Sequence, residues 1–379
     1  MAPLFLFGTL RHRPLLEIVL GGTCPGFTLT PATLAGYGAR SIAGESFPML
    51  VAAPGETAEG LLLEGANQAA MARLDFYEGG YGYALRGVRV QTAAGQRDAQ
   101  AYFPDSPGAM TPGGGWDLDG WIARWGAVTT LAAEEVMDGF GIVPAEVVAR
   151  RYPSILARAA SRRRARAARR NGPAALRRRV EPGDVVLSAQ RQPFAGFFAI
   201  EEYELTHRRF DGAMSPRLTR ETFVATDAAT LLPYDPVRDR VMLVEQFRAG
   251  PLARGDPQCW TLEAIAGRID ADETPEQAIR REAREEAGLE IGVLHPLAGY
   301  YPSPGAVSEY IHSFIGLTDL PDTRARLGGA PQEGEDIRAH VIGFERAMKL
   351  LDDGALENAP LVLSLLWLAR MREDLRRPA

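Results

Sequence analysis

Acidic side chains at helical spacing are densest between Gly267 and Leu289. Thr274 stands before Pro275, with Gln277 three residues on, the pattern of a capping box with proline at the first helical position. Gly288 supplies a stop, so the pattern predicts a helix over 275–287. Within it Glu282, Glu285 and Glu286 fall at i, i+3 and i+4 and cover one stripe of roughly 80°. Ile279, Ala283 and Ala287 make the adjacent stripe, which is expected to face the core. Arg281 and Arg284 point outward, with Arg281 in reach of Glu285 one turn on. Carboxylates crowded on one face repel one another, and a hard divalent cation with oxygen ligands would relieve that. Magnesium suits the task, because it keeps water and is shared between one or two carboxylates and substrate phosphates. Spacing alone leaves a second reading open, a salt-bridged surface helix.

A second group of residues lies near the start of the chain. Phe5-Leu6-Phe7-Gly8-Thr9-Leu10-Arg11 reads as a strand running into a tight glycine loop. Such a loop can present backbone N–H groups to a carboxylate or an oxyanion. Further on, Leu74 to Tyr83 places Glu78 at a helix end, before glycines and tyrosines. An acid there is suited to proton transfer, although many helix-end glutamates are only solvated surface.

These groups need elements to hold them. A chain of 379 residues suggests two domains. In the first, strands are expected at Leu4–Phe7, Met49–Ala53, Gly60–Leu63, Tyr83–Val90 and Ala99–Phe103, with a hairpin turn around Thr92–Gly95. Helical spacing covers Pro14–Leu20, Asn67–Tyr77, Trp116–Met137 and Pro144–Arg170. The second domain, starting near residue 181, is expected to hold strands at Ala228–Leu232, Arg240–Phe247, Leu294–Tyr301 and Tyr310–Gly316. Consecutive apolar residues in the second of these predict burial on both faces. Helices at Phe344–Leu351 and Pro360–Leu375 close the chain.

Composition is that of an ordinary globular protein, 46% hydrophobic and 24% charged. No apolar run approaches the roughly 20 residues of a bilayer span. The opening stretch lacks the basic-then-apolar order of a signal peptide. Cys24 and Cys259 stand far apart without histidine neighbours, which argues against disulfides or zinc and for a reducing compartment, the cytoplasm. Net charge is −6, yet ten arginines and no acid lie between Arg158 and Arg179. Lys349 is the only lysine, so arginine is the general-purpose cation here. Without interleaved aromatics the run reads as a solvated helical connector rather than a nucleic-acid site.

The pattern from Gly267 through Glu273 and Arg281-Glu282-Ala283-Arg284-Glu285-Glu286-Ala287-Gly288-Leu289 matches the Nudix box in full. At average composition its chance is about 10⁻⁸ per start position. Over most of residues 194–370 the chain resembles the bacterial ADP-ribose pyrophosphatase branch of the Nudix hydrolases. Matching stretches include Gly196-Phe197-Phe198, Arg220-Glu221, Leu232 to Asp239, Glu245-Gln246-Phe247-Arg248, Ser303-Pro304-Gly305, Ser308-Glu309 and Gln332 to Ile337. That resemblance implies an α/β/α sandwich and a homodimer with exchanged N-terminal strands. It implies magnesium, with manganese as a substitute, held by Glu282, Glu286 and the carbonyl of Ala266, with Glu285 assisting. The base would come from a loop at Glu333, with Glu335 close by. Substrate contacts would be Phe197 on the adenine, with Arg220, Arg248, Ser303, Gly305 and Glu309. The implied reaction splits ADP-ribose into AMP and ribose 5-phosphate.

Residues 3–125 resemble the gamma-glutamylcyclotransferase-like superfamily, through the Gly8 loop and the Glu78 segment. This implies a small mixed β-barrel with surrounding helices, and cyclisation of a gamma-glutamyl amine to 5-oxoproline. Glu78 would be the proton carrier, and Gly8, Thr9 and Leu10 would hold substrate. Phe7 and Leu10 depart from the best-known pattern, where tyrosine and asparagine are usual, and favour the gamma-glutamylamine branch. The expected organisation is therefore an α/β two-domain chain: 1–125 cyclotransferase-like, 126–180 an arginine-rich helical connector, 181–379 Nudix. Two other readings stand beside it: a Nudix hydrolase of another nucleotide sugar or dinucleotide, and a nucleotide-sensing module without turnover. An intact set of acids disfavours the second.

Overall fold

The structure, a computed structural model, describes residues 2–22, 26–105, 110–168, 178–322, 325–329 and 334–377. Cys24 and Glu333 lie outside them, as does the end of the arginine run between 169 and 177. The chain divides into two compact units, 1–171 and 172–379. No described helix is long and apolar enough to cross a membrane.

The first unit holds β1 (Leu4–Leu6), α1 (Arg13–Leu20), β2 (Thr28–Ile42), β3 (Pro48–Glu64), α2 (Gln68–Gly79), β4 (Tyr83–Thr92), β5 (Gly95–Pro104) and β6 (Pro112–Gly115). After them come α3 (Leu118–Trp121), α4 (Ala127–Asp138) and α5 (Ala145–Ala167). Strands run in the order β3-β1-β5-β4-β2, and β2 pairs again with β3, which closes a five-stranded barrel with β6 appended to β2. Closure removes the free edges that an open sheet of this size would expose. The interior is filled by Phe5, Phe7, Leu34, Leu50, Leu62, Val90, Ala101 and Phe103. Gly60 makes the β1–β3 contact possible, because a Cβ there would lie 2.4 Å from the Phe5 ring.

The expected connector, 126–180, contains two helices, α4 and α5. Both fall in the first unit and pack on each other. Arg158, expected as solvated, is 1% exposed and forks onto the buried carboxylate of Glu135 at 2.5–3.3 Å. A buried guanidinium requires such a partner, and Glu135 lies too far away in sequence for a charge count to reveal it.

The second unit begins with β7 (Val185–Ala195), β8 (Ala199–His207) and β9 (Leu218–Val224), a separate three-stranded sheet. There follow β10 (Ala228–Asp235), β11 (Arg240–Phe247), α6 (Ala249–Arg254), β12 (Trp260–Glu263), β13 (Ile265–Arg268), α7 (Pro275–Ala287), β14 (Leu294–Tyr300), β15 (Ile311–Leu317), β16 (Ala325–Gly328), β17 (Ile337–Gly343), α8 (Phe344–Asp352) and α9 (Ala359–Arg376). The main sheet runs β14-β15-β10-β11-β17-β16, with β12 on β11 and β13 on β10.

Alternation along the central strands divides the core in two. Leu231, Met242 and Val244 face α7 through Ala278, Ile279, Ala283 and Ala287. Leu232, Val241 and Leu243 face α8 and α9 through Phe344, Ala347, Leu361 and Leu365. The result is the expected α/β/α sandwich, with β11 buried on both faces. The three-stranded sheet is different, since Val185, Leu187, Phe194, Phe197 and Phe223 remain exposed on it.

Candidate active sites

Helix α7 starts and stops where the sequence places it. Thr274 Oγ1 accepts from the Gln277 N–H at 3.2 Å, and Gln277 Oε1 accepts from the Thr274 N–H at 2.9 Å. Gly288 ends the helix in the left-handed region at φ 61°, where glycine carries no steric penalty. These two ends fix the rotation of the helix against β13. Gly267 then matters through what it lacks: a Cβ there would sit 1.8 Å from Glu282 Oε1.

Glu286 is 1% exposed, and its Oε2 has no hydrogen-bond partner. The Ala266 backbone N–H donates to the same carboxylate. Burial, with Glu282 and Glu335 adding negative charge, pushes the Glu286 carboxyl up to about 9. Burial also pushes Glu282 up to about 7, against the pull of Arg281. Two desolvated acids facing a third, one with an orphaned oxygen, fit a divalent cation that replaces the missing positive charge. Among the described residues no group of three or more His, Cys, Asp or Glu side chains is placed to hold a metal ion by itself.

Arg281 ties the acidic face together. It forks onto Glu273 with two 2.9 Å bonds, donates to Glu282 at 2.7 Å and reaches Glu285 at 3.1 Å, as its spacing predicts. The fork to Glu273 and the contact with Glu282 escape a spacing argument, because they depend on the loop before the helix folding back. Glu285 is thereby held on the arginine side of the stripe.

Arg248 forks onto the buried carboxylate of Glu263 at 2.8 and 3.0 Å, and also feels the charges of Glu286 and Glu335. Glu309 lies in the same field: burial and Asp227 raise its carboxyl, and Arg248 opposes them. The structure therefore brings Ala266, Glu282, Glu286, Glu335, Arg248 and Glu309 together. Phe197 is 62% exposed, and the guanidinium of Arg268 sits 5.2 Å from its ring centroid. Through Arg268, the neighbour of Gly267, that ring is brought near the acidic face. Ser303 and Gly305 lie on an exposed turn in which the Ser303 carbonyl accepts from the N–H groups of Ala306 and Val307. Arg220 is exposed on β9 and donates to its neighbour's carbonyl, that of Thr219.

In the first unit Glu78 stands at the last turn of α2, between two small cavities. One, of about 40 Å³, is bounded by Gly8, Thr9, Leu10, Pro48, Tyr83 and Tyr102. The other, of about 30 Å³, is bounded by Thr9, Ser46, Tyr81, Thr129 and Tyr152. Burial raises the Glu78 carboxyl to about 7, and its carboxylate has no hydrogen bond or ion pair among the described residues. An acid poised there can both take and return a proton near neutrality. Tyr102 is turned aside by donating to Asp75 at 2.6 Å.

A sandwich with an acid-lined helix beside a glycine strand, preceded by a barrel with a half-buried glutamate between two cavities, defines a chain of two enzyme-type modules. The NUDIX domain model matches residues 225–365, and the gamma-glutamyl cyclotransferase, AIG2-like model matches residues 4–118. The chain is 39% identical to the ADP-ribose pyrophosphatase of Escherichia coli (strain K12) over 193 residues, 51% of this chain and 91% of that protein. It is 34% identical to the Haemophilus influenzae ADP-ribose pyrophosphatase over 189 residues, 49% of this chain and 86% of that one. The GDP-mannose pyrophosphatase of Escherichia coli O1:K1 / APEC is 36% identical over 166 residues, 44% of this chain and 84% of that protein. The chain belongs to the Nudix hydrolase family and carries an AIG2-like gamma-glutamyl cyclotransferase domain ahead of its Nudix domain.

Proposed function

We propose that the Nudix unit hydrolyses the diphosphate of ADP-ribose to AMP and ribose 5-phosphate. The observation that carries this reading is the orphaned Oε2 of Glu286 beside Glu282, in a chain 39% identical to an ADP-ribose pyrophosphatase. Glu282, Glu286 and the Ala266 carbonyl would hold magnesium, for which manganese would substitute. Magnesium there would neutralise the diphosphate and lower the pKa of a water. The loop acid Glu333, with Glu335 close by, would take the water's proton, and Glu285 would assist from the arginine side. Arg281 keeps Glu282 turned toward β13. Arg220 would offer its guanidinium to phosphate oxygens, and Arg248, whose Nε and Nη2 hold Glu263, would offer Nη1. The Phe197 ring would offer a face to the adenine, while Ser303, Gly305 and Glu309 would contact other parts of the substrate. The exposed apolar side chains of β7–β9 support a homodimer built through this sheet.

Similarity to GDP-mannose pyrophosphatase favours a second reading, another nucleotide sugar on the same site. A panel of nucleotide sugars and dinucleotides at fixed magnesium, with phosphorus NMR of the products, separates the two. Turnover of ADP-ribose by a folded Glu282→Gln chain at the wild-type rate would overturn the site itself.

For the first unit we infer gamma-glutamyl cyclotransfer, on the strength of a half-buried Glu78 between two cavities, with no hydrogen bond or ion pair to its carboxylate among the described residues. The substrate's α-amine forms a C–N bond to the γ-carbonyl carbon, and the bond to the departing amine breaks. Glu78 accepts the proton from the attacking nitrogen and delivers it to the departing one.

A further inference from the structure

The cavity on the helix side of Glu78 has walls that the cyclotransferase match does not contain. That match ends at residue 118, whereas Thr129 of α4 and Tyr152 of α5 both border the cavity. The fit between these helices and α2 is close. A Cβ on Gly80, two residues beyond Glu78, would lie 2.5 Å from the Ala145 carbonyl oxygen. The Tyr152 ring packs edge-on against Tyr81, with centroids 5.4 Å apart.

Thr129 is 2% exposed, and its Oγ1 has no hydrogen-bond partner. It lies near enough to the Tyr152 phenol to temper it, yet not in bonding geometry. A buried hydroxyl left without a partner is costly, and here it borders a cavity next to an acid suited to proton transfer. Among the described residues this cavity is bounded by Glu78 and several tyrosines but by no arginine, lysine or histidine. Glu45 adds negative potential to the same tyrosines.

We propose that Thr129 and Tyr152 form the subsite for the departing amine and decide which gamma-glutamyl amines are accepted: compact ones with a hydrogen-bonding group, and none bearing a carboxylate. This rests on the reading of Glu78 as the proton carrier. A carboxylate in the leaving group would meet acids without a compensating cation, and about 30 Å³ leaves room for only a small group. The Thr129 hydroxyl supplies the bond that tells a hydroxyl from a methyl.

The test uses the full chain and follows 5-oxoproline from gamma-glutamyl-ethanolamine, its isostere gamma-glutamyl-propylamine, gamma-glutamyl-benzylamine and gamma-glutamyl-glycine. Wild type should prefer the ethanolamine compound and reject the glycine compound. Thr129→Val should lower the ethanolamine-to-propylamine ratio of kcat/KM about five- to tenfold, and Tyr152→Ala should raise the benzylamine compound relative to both. A folding defect scales all substrates together and leaves those ratios in place. If Glu78→Gln abolishes 5-oxoproline while both wall variants keep the wild-type ratios, the subsite assignment is wrong and the Glu78 reading stands. If wild type yields no 5-oxoproline from any compound, both fail.

Discussion

Gly267 offers the sharpest test of how the acidic helix is positioned. Its φ is not among the positive ones, so alanine fits the backbone, and the pairing of Gly267 with Ala229 in the sheet can persist. The added Cβ would lie 1.8 Å from Oε1, 2.0 Å from Cδ and 2.4 Å from Cγ of Glu282. Since such contacts stay beyond 3.0 Å, the carboxylate must retreat by more than about 1 Å. A flexible side chain can swing away at small cost in stability, but a displacement of that size costs catalysis about 100-fold, or about 2.7 kcal/mol of activation free energy. Gly267→Ala should therefore melt close to wild type and lose about two decades of kcat/KM for magnesium-dependent ADP-ribose hydrolysis. A double-mutant cycle isolates the cause. In a Glu282→Gln background the alanine should cost almost nothing further, because the side chain it displaces no longer carries the carboxylate whose position matters. Activity of the single variant within threefold of wild type would refute the argument, as would full additivity in the double variant.

Other outcomes can be checked with less machinery. Arg281→Met removes the fork on Glu273 and the bond to Glu282, and should weaken magnesium activation of hydrolysis about 10- to 100-fold, with Arg281→Lys recovering only part of it. Glu286 has a folded-state pKa of about 9 against an ordinary 4.5. Its contribution to metal-free stability is thus fully present below about pH 4.5 and lost as pH rises toward 9. Urea titrations in EDTA should show wild type losing more stability than Glu286→Gln between pH 6 and 9, and equal slopes would contradict the assignment. Arg158→Met strips the buried Glu135 of its forked partner and leaves Arg162 at 3.9 Å, which should destabilise the first unit by up to about 3 kcal/mol. Arg158→Met with Glu135→Leu should recover most of that in denaturant titrations.

Helix α7 was legible to the residue, because its start and stop are local chemistry: a threonine, a proline and a glycine at fixed offsets. The hairpin turn at Thr92–Gly95 was legible for the same reason. The long β2–β3 pairing was not. Pro54 and Gly55 lie between the strands expected at Met49–Ala53 and Gly60–Leu63, yet β3 runs through them from Pro48 to Glu64, with a register shift on β2 between Ala35 and Tyr37. The strands β7–β9 also escaped, since their apolar residues remain exposed and give no core periodicity. At the site, the acids of the stripe could be found by spacing, whereas the partners Glu273 and Glu263 needed tertiary contacts. Thr129 carries no sequence signal, because an unsatisfied hydroxyl exists only in three dimensions.

The reciprocal Thr274–Gln277 cap has a consequence for how this chain can change length. Each residue added to a helix turns everything beyond it by about 100°. One extra residue between Thr274 and Glu282 would swing the acids off the seam with Gly267 and carry Ala283 and Ala287 out of their packing. The same residue placed in the loop ahead of Thr274 would leave the rotation of the helix unchanged, at the expense of the loop that holds Glu273 against Arg281. The cap thus acts as an index mark: insertions beyond it turn the acids, and insertions ahead of it do not.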